Sequence, residues 1–201
     1  LARGWVTIGD NKYYFSYTNY AAVTGWRRIG GKVYYFNADG TLKKLSGVVK
    51  NSGNRYYYDP TTGEMTTGWV HSGVNDYYFS PKTGRALTGW QTINGKEYFF
   101  NRYGQLAKNR LVGNTYYVND KGEKVYGWYT NGDKTYYLNS RTGVIMKKGW
   151  QTIDGKKYYF NADGSLAKGT WINDDQYLDE NGSYASGWME IDGKKYYFSK
   201  V

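Results

Sequence analysis

The stretch Gly149-Trp150-Gln151-Thr152-Ile153-Asp154-Gly155-Lys156-Lys157-Tyr158-Tyr159-Phe160 decides the fold. Two short β-prone runs flank Asp154-Gly155, a dipeptide that tolerates positive φ at both central turn positions and matches the twist of paired strands. The stretch therefore reads as a β-hairpin. Asn94-Gly95, Asp192-Gly193 and Gly30-Gly31 stand at the equivalent place in similar stretches. A further glycine turn follows the second strand, as in Asp39-Gly40, Thr62-Gly63, Tyr103-Gly104 and Asp163-Gly164. Turns explain the 27 glycines without a phosphate-binding loop.

Outward from this stretch the pattern recurs along the chain, which marks a repeat architecture. The eight tryptophans stand at 5, 26, 69, 90, 128, 150, 171 and 188, at intervals of 21, 43, 21, 38, 22, 21 and 17 residues. Val48 divides the 43-residue step and Leu111 the 38-residue step, giving ten starts. Eight residues after most starts comes an aromatic triplet: Tyr13-Tyr14-Phe15, Tyr34-Tyr35-Phe36, Tyr56-Tyr57-Tyr58, Tyr77-Tyr78-Phe79, Tyr98-Phe99-Phe100, Tyr136-Tyr137-Leu138, Tyr158-Tyr159-Phe160 and Tyr196-Tyr197-Phe198. All seven phenylalanines lie in these triplets. The units starting at Leu111 and Trp171 reach Tyr116-Tyr117-Val118 and Gln176-Tyr177-Leu178 after only five residues, and their steps shrink to 17. The loss falls in the first turn.

One hairpin is marginal in water. Hairpins in series can each cover a neighbour's apolar face. The expected fold is all-β, a solenoid of about ten stacked β-hairpin repeats of 17–22 residues with no single globular core. Residues 1–201 read as one repeat array. Leu1-Ala2-Arg3-Gly4 matches the end of a unit, as in Leu166-Ala167-Lys168-Gly169, and the tenth unit stops just after its second strand. The chain is thus expected to be a fragment of a longer secreted protein, with its first and last repeats incomplete.

Composition narrows the function. With no cysteine, disulfides and thiolate metal sites are excluded, and a single histidine, His71, excludes a histidine cluster. An aromatic content of 20% argues against disorder, and no apolar run approaches the ~20 residues that cross a bilayer. Asp39, Asp154, Asp163 and Asp192 precede glycine, which is a turn preference. A glycosidase instead needs two carboxylates held across a substrate, one of them in a dry pocket. Asp174, Asp175, Asp179 and Glu180 miss the EF-hand spacing. No catalytic residue, metal site or cofactor is expected, and His71 reads as a solvent-facing strand residue. The net charge of +10 keeps an aromatic surface soluble and favours acidic polymers such as teichoic acid. Nucleic acid is set aside as a partner, because the charges form no basic block.

The Gly-Trp start, the Tyr-Tyr-Phe strand and the glycine turn together resemble the cell-wall-binding repeats of Gram-positive secreted proteins. That superfamily includes choline-binding modules, glucan-binding domains of glucansucrases and receptor-binding repeats of large clostridial toxins. The resemblance covers the whole chain. It implies a secreted, cell-surface or wall-associated binding module and not an enzyme. In the choline-binding branch a tryptophan usually stands just before the Tyr-Tyr pair and walls an aromatic cage. Here that place holds Lys12, Val33, Arg55, Asp76, Glu97, Thr115, Thr135, Lys157, Asp175 and Lys195. A cation there repels a cationic ligand, while Asp76 and Glu97 partly compensate for the missing ring. The unit from Gly149 to Asn161 looks more like the toxin and glucan-binding branches.

In an alternating strand Tyr13 and Phe15 share one face while Tyr14 takes the other. One face must pack, so the middle aromatic is the candidate for ligand contact. The tryptophans either fill the space between hairpins or also line a shallow groove, where indole stacks on a sugar ring or a cation. The expected ligand-binding residues are Trp5, Tyr14, Trp26, Tyr35, Trp69, Tyr78, Trp90, Trp128, Tyr137, Trp150, Tyr159, Trp171 and Trp188. Val48 and Leu111 lack the indole, so sites beside them are expected to be weak. The expected function is multivalent binding of a bacterial wall polymer, α-glucan or cell-surface glycan that anchors a larger protein, without membrane insertion. Alternatives are choline on teichoic acid, a host-glycan receptor domain of a toxin, and a structural spacer.

Overall fold

All ten expected hairpins form. The structure, a computed structural model, describes residues 1–199. Gly4–Ile8 pairs with Asn11–Phe15, Gly25–Ile29 with Lys32–Phe36, Gly47–Asn51 with Asn54–Tyr58, Gly68–Ser72 with Asn75–Phe79, and Gly89–Ile93 with Lys96–Phe100. These five occupy one compact unit, Leu1–Ala107. The second unit, Lys108–Val201, holds Arg110–Val112 with Tyr116–Val118, Gly127–Asn131 with Lys134–Leu138, Gly149–Ile153 with Lys156–Phe160, Thr170–Asn173 with Gln176–Leu178, and Gly187–Ile191 with Lys194–Phe198. Each pair is antiparallel, and the hairpins are named below by their start residue. No helix of the described residues is long and apolar enough to cross a membrane.

The shortened Trp171 hairpin turns at Asp174-Asp175 with neither residue left-handed, while the turns of the other nine hairpins take two forms. Asp154-Gly155 (φ +49° and +77°) and Asn94-Gly95 (+51° and +78°) are left-handed at both central positions, as their chemistry demands. In the Trp5, Trp69 and Trp128 hairpins only the first turn residue is left-handed: Gly9, Gly73 and Gly132. The glycine before seven of the eight tryptophans has its own reason; Trp171 follows Thr170. Gly4 adopts φ +71°, a conformation that carries the incoming chain onto the strand and that a side chain would strain.

After most second strands the chain returns as a short third segment, and in several units this segment has two partners. Leu42 bridges Phe36 of its own hairpin, and its N–H donates to the Lys12 carbonyl of the preceding one at 2.7 Å. Leu106 to Asp76 and Leu166 to Thr135 repeat this link at 2.8 and 2.7 Å. Backbone hydrogen bonding thus stitches hairpin to hairpin.

The last triplet position supplies the core. Phe79, Phe100, Leu138, Phe160 and Leu178 are wholly buried, and burial of each such side chain stabilises by about 1.5–3 kcal/mol. Burial is divided among separate clusters, as a solenoid requires. One joins Val33, Tyr56, Tyr58 and Met65. Others join Tyr117, Val125, Leu138 and Ile145, or Tyr177, Ala185, Ile191 and Phe198. Tyr58 keeps its phenol satisfied by donating to the Val33 carbonyl at 2.7 Å, and burial pushes its pKa well above the usual range.

Aromatic grooves between successive hairpins

The strand register sets each tryptophan opposite the middle residue of its triplet. Trp5 pairs with Tyr14, Trp69 with Tyr78, Trp128 with Tyr137 and Trp150 with Tyr159. Cross-strand partners share a face, so each candidate tryptophan and its middle tyrosine lie side by side. Their rings meet edge to face: Trp5–Tyr14 at 5.3 Å and 76°, Trp69–Tyr78 at 5.2 Å and 79°, Trp128–Tyr137 at 4.9 Å and 65°.

A third ring comes from the next hairpin, and the sequence reading had left it out. Tyr34 lies 4.9 Å from Trp5, Tyr98 lies 5.0 Å from Trp69, and Tyr158 lies 4.8 Å from Trp128, all near right angles. Each is the first triplet residue. It shares a face with the buried third residue, and that face meets the preceding tryptophan. The third residue closes the floor, with Phe36, Phe100 and Phe160 at 5.8, 5.9 and 6.2 Å from the same indoles. The signal was present: the first triplet residue is tyrosine in every unit except one, where Gln176 stands. A phenol whose hydroxyl must reach water suits a rim better than a core.

The tryptophans are not equivalent. Trp5, Trp69 and Trp128 are 43, 43 and 41% exposed, and Trp188 with its partner Tyr197 is more open still. These stand at every third start. Trp26 packs half-buried against the Val33–Met65 cluster with Tyr35 at 5.1 Å. Trp171 meets Tyr177 and Tyr196 at 5.1 Å each and Phe198 at 5.7 Å, the same three-ring geometry, but it is half-buried and Tyr177 is buried. Trp90 meets Phe99 at 5.3 Å and is half-buried. Trp150 is half-buried too, between Tyr159 and Tyr184. At the two aliphatic starts the middle ring turns elsewhere: Tyr57 packs on Phe79 at 6.0 Å, and Tyr117 is buried.

Beside the three most regular grooves stands the residue before the Tyr-Tyr pair. It lies two positions from the middle tyrosine, on the same face: Lys12, Asp76 and Thr135. Around Trp5, Lys12 and Tyr34 lies a groove of about 390 Å³. At the Trp69 groove His71, exposed as expected, hydrogen-bonds Asp76 through Nδ1 at 2.7 Å.

The choline-binding repeat family matches residues 23–69, 87–118 and 147–183, more than half of the sequence. The chain belongs to the choline-binding repeat family. A related description, putative cell wall binding repeat, matches residues 4–19, 127–141 and 186–200, which carry three of the four exposed tryptophans. Among solved structures, choline-binding protein F from Streptococcus pneumoniae is 33% identical at a TM-score of 0.70 over 88% of this chain. The chain spans 61% of the length of that protein. The choline-binding domain of CbpL from the same organism is 26% identical at 0.68, covering 92% of this chain and 98% of that one. CbpJ from S. pneumoniae, 24% identical at 0.68, covers 99% of this chain and 86% of that one, and shares the fold. No curated protein matches. These choline-binding repeats form a cell-wall-binding module of a cell-surface or wall-associated protein.

Several acidic residues of these repeats serve turns. Asp39 Oδ1 accepts from the Thr41 amide and hydroxyl, and these hydrogen bonds hold its carboxyl below the usual range. Asp59 is lowered in the same way by the amides of Thr62 and Thr61. Asp163 lies well below the range, because Lys134 at 2.8 Å and Ser165 both donate to it.

Proposed function

We propose that the chain is a non-catalytic anchor that holds a larger secreted protein on a choline-bearing wall polymer through several weak aromatic grooves. The observation that carries this reading is the three-ring corner at Trp5, Trp69 and Trp128. A quaternary ammonium is attracted to aromatic faces within about 6 Å of their centroids. Three rings at near right angles surround a point in a way that suits a small round cation. A neutral sugar ring is better served by one flat platform. The family membership supports choline over the α-glucan expected from the Gly149–Asn161 unit.

Each groove lacks the tryptophan that the choline-binding branch usually places before the Tyr-Tyr pair, so each is weak alone. Linked sites can raise avidity by ~100 to 10,000-fold when their spacing matches the polymer. The non-catalytic reading is supported by the carboxylates: those of Asp39, Asp59 and Asp163 are held low by turn hydrogen bonds, the reverse of what a general acid needs.

The test is retention of the chain on immobilised choline, with elution by free choline, beside a column of neutral α-glucan. Retention by choline alone is expected. Retention by the glucan alone would replace the ligand class, and retention by neither would leave a spacer.

A further inference from the structure

The Trp171 hairpin is short. Three residue pairs join its strands, Thr170 with Leu178, Trp171 with Tyr177 and Asn173 with Gln176, against five in the preceding Trp150 hairpin. The place that Tyr34, Tyr98 and Tyr158 fill in other grooves here holds Gln176. A different residue reaches the indole: Tyr184 lies 5.6 Å from Trp150 at 67°. Tyr184 occupies the third-segment position held by Leu42, Leu106 and Leu166 elsewhere, and its N–H donates to the Lys157 carbonyl at 3.1 Å.

The missing turn residues leave the outer half of the Trp150 hairpin uncovered. A groove of about 660 Å³ opens there, between the Lys156–Lys157 strand and the segment from Asp179 to Ser186. That is larger than the groove at Trp5 and within the range of ligand pockets, ~300–1,000 Å³. Its lining is of another kind. Thr152, Ser183 and Ser186 bring hydroxyls, and Lys157, on the face of its partner Thr152, brings an exposed ammonium group, with exposed Lys156 next to it at the turn. The one carboxylate in the lining, Asp179, is engaged: its Oδ1 accepts the amides of Asn181 and Ser183 at 2.9 and 2.8 Å. The groove thus presents cations and hydroxyls where the three-ring corners present π-faces.

We propose that the groove created by the shortened Trp171 hairpin binds an acidic saccharide, a sugar unit bearing a phosphate or carboxylate, at a site separate from the aromatic corners. Lys157 meets the anion with Lys156 adding positive charge beside the turn, the hydroxyls meet sugar hydroxyls, and the Tyr184 ring offers a face to the sugar's C–H edge. The site goes beyond the choline reading and repels a quaternary ammonium.

The test is an amide-resolved NMR titration of the full chain with glucose 6-phosphate, glucuronic acid, maltose and choline in separate arms. Both acidic sugars are expected to shift Thr152, Ser183, Ser186 and their neighbours, with the stronger arm naming the anion. Maltose is expected to bind about tenfold more weakly, since charged hydrogen bonds carry the recognition. The double variant Lys156→Glu, Lys157→Glu should lose the acidic sugars while keeping the choline shifts around Trp5 and Trp69. Both lysines are exposed, so the fold tolerates the change. Maltose binding as tightly as the acids, or no shift in this groove from either acid, overturns the proposal. Loss of choline shifts with the saccharide shifts retained would strike the anchoring reading and leave this one standing.

Discussion

The Trp69 and Leu111 hairpins share a register and differ in use. At Trp69 the indole stands opposite Tyr78, leaves it half-exposed and meets Tyr98 at a right angle, so three rings open to solvent. At Leu111 the opposite residue, Tyr117, is only 4% exposed. Its ring stacks on Tyr136 at 6.1 Å, and its hydroxyl donates to Asn109 and accepts from Asn131. Hairpin length goes with the difference. Tyr177, opposite Trp171 in the other shortened hairpin, is also buried at 8%, whereas Tyr57, opposite Val48 in a full-length hairpin, is half-buried like Tyr78. A full-length hairpin thus keeps the middle tyrosine at the groove, and a shortened one takes it into the core.

The largest effect should come from a position both hairpins use alike. Phe79→Ala, at the wholly buried third triplet position of the Trp69 hairpin, should cost about 3–5 kcal/mol in denaturant unfolding. A cost under 1 kcal/mol would mean the third triplet position is not core. Next, Tyr117→Phe leaves Asn109 and Asn131 without their partner and should cost about 1–3 kcal/mol. Tyr78→Phe, with no such partners, should leave stability nearly unchanged. Equal costs would erase the contrast between the two hairpins.

Alkaline pH sharpens the same contrast. Burial pushes the Tyr117 phenol up to about 12 from 10.0. Its folded pKa is raised, so its contribution is complete below the unfolded value and lost as pH rises from 10 towards 12. Chemical unfolding across that window should show the second unit weakening, and Tyr117→Phe should remove that component. Smaller effects belong to binding. Trp69→Ala should lower choline affinity at that groove by about tenfold, the loss of one cation–π wall. Asp76→Asn should lower it only a few-fold, and Lys12→Asp should raise it at the Trp5 groove. Both are readable by isothermal titration. An unchanged or inverted order would remove the role given to the residue before the Tyr-Tyr pair.

Much of this was legible in the chain. The Trp-to-triplet spacing and the glycine turns marked the hairpins, and face alternation separated Tyr14 from the packed pair Tyr13 and Phe15. The third wall was not read, because alternation within one hairpin assigns Tyr34, Tyr98 and Tyr158 to the packed face. Only stacking reveals that this face meets the preceding indole. The unequal exposure of the tryptophans also depends on neighbours. Yet the sequence carried a hint, since the aliphatic or shortened units, at Val48, Leu111 and Trp171, fall at every third start, out of step with the exposed Trp5, Trp69 and Trp128. The Trp150 groove could not be read at all. It needed the knowledge that deleted turn residues uncover a neighbour and that Tyr184 moves in.

The central claim is that exposed three-ring corners, and not the repeats as such, bind the cation. A crystal of the chain soaked in choline tests it most directly. Ligand density is expected within reach of the rings at Trp5, Trp69 and Trp128, and absent beside Val48 and Leu111. Density at the Leu111 hairpin with the Trp5, Trp69 and Trp128 grooves empty would contradict the account.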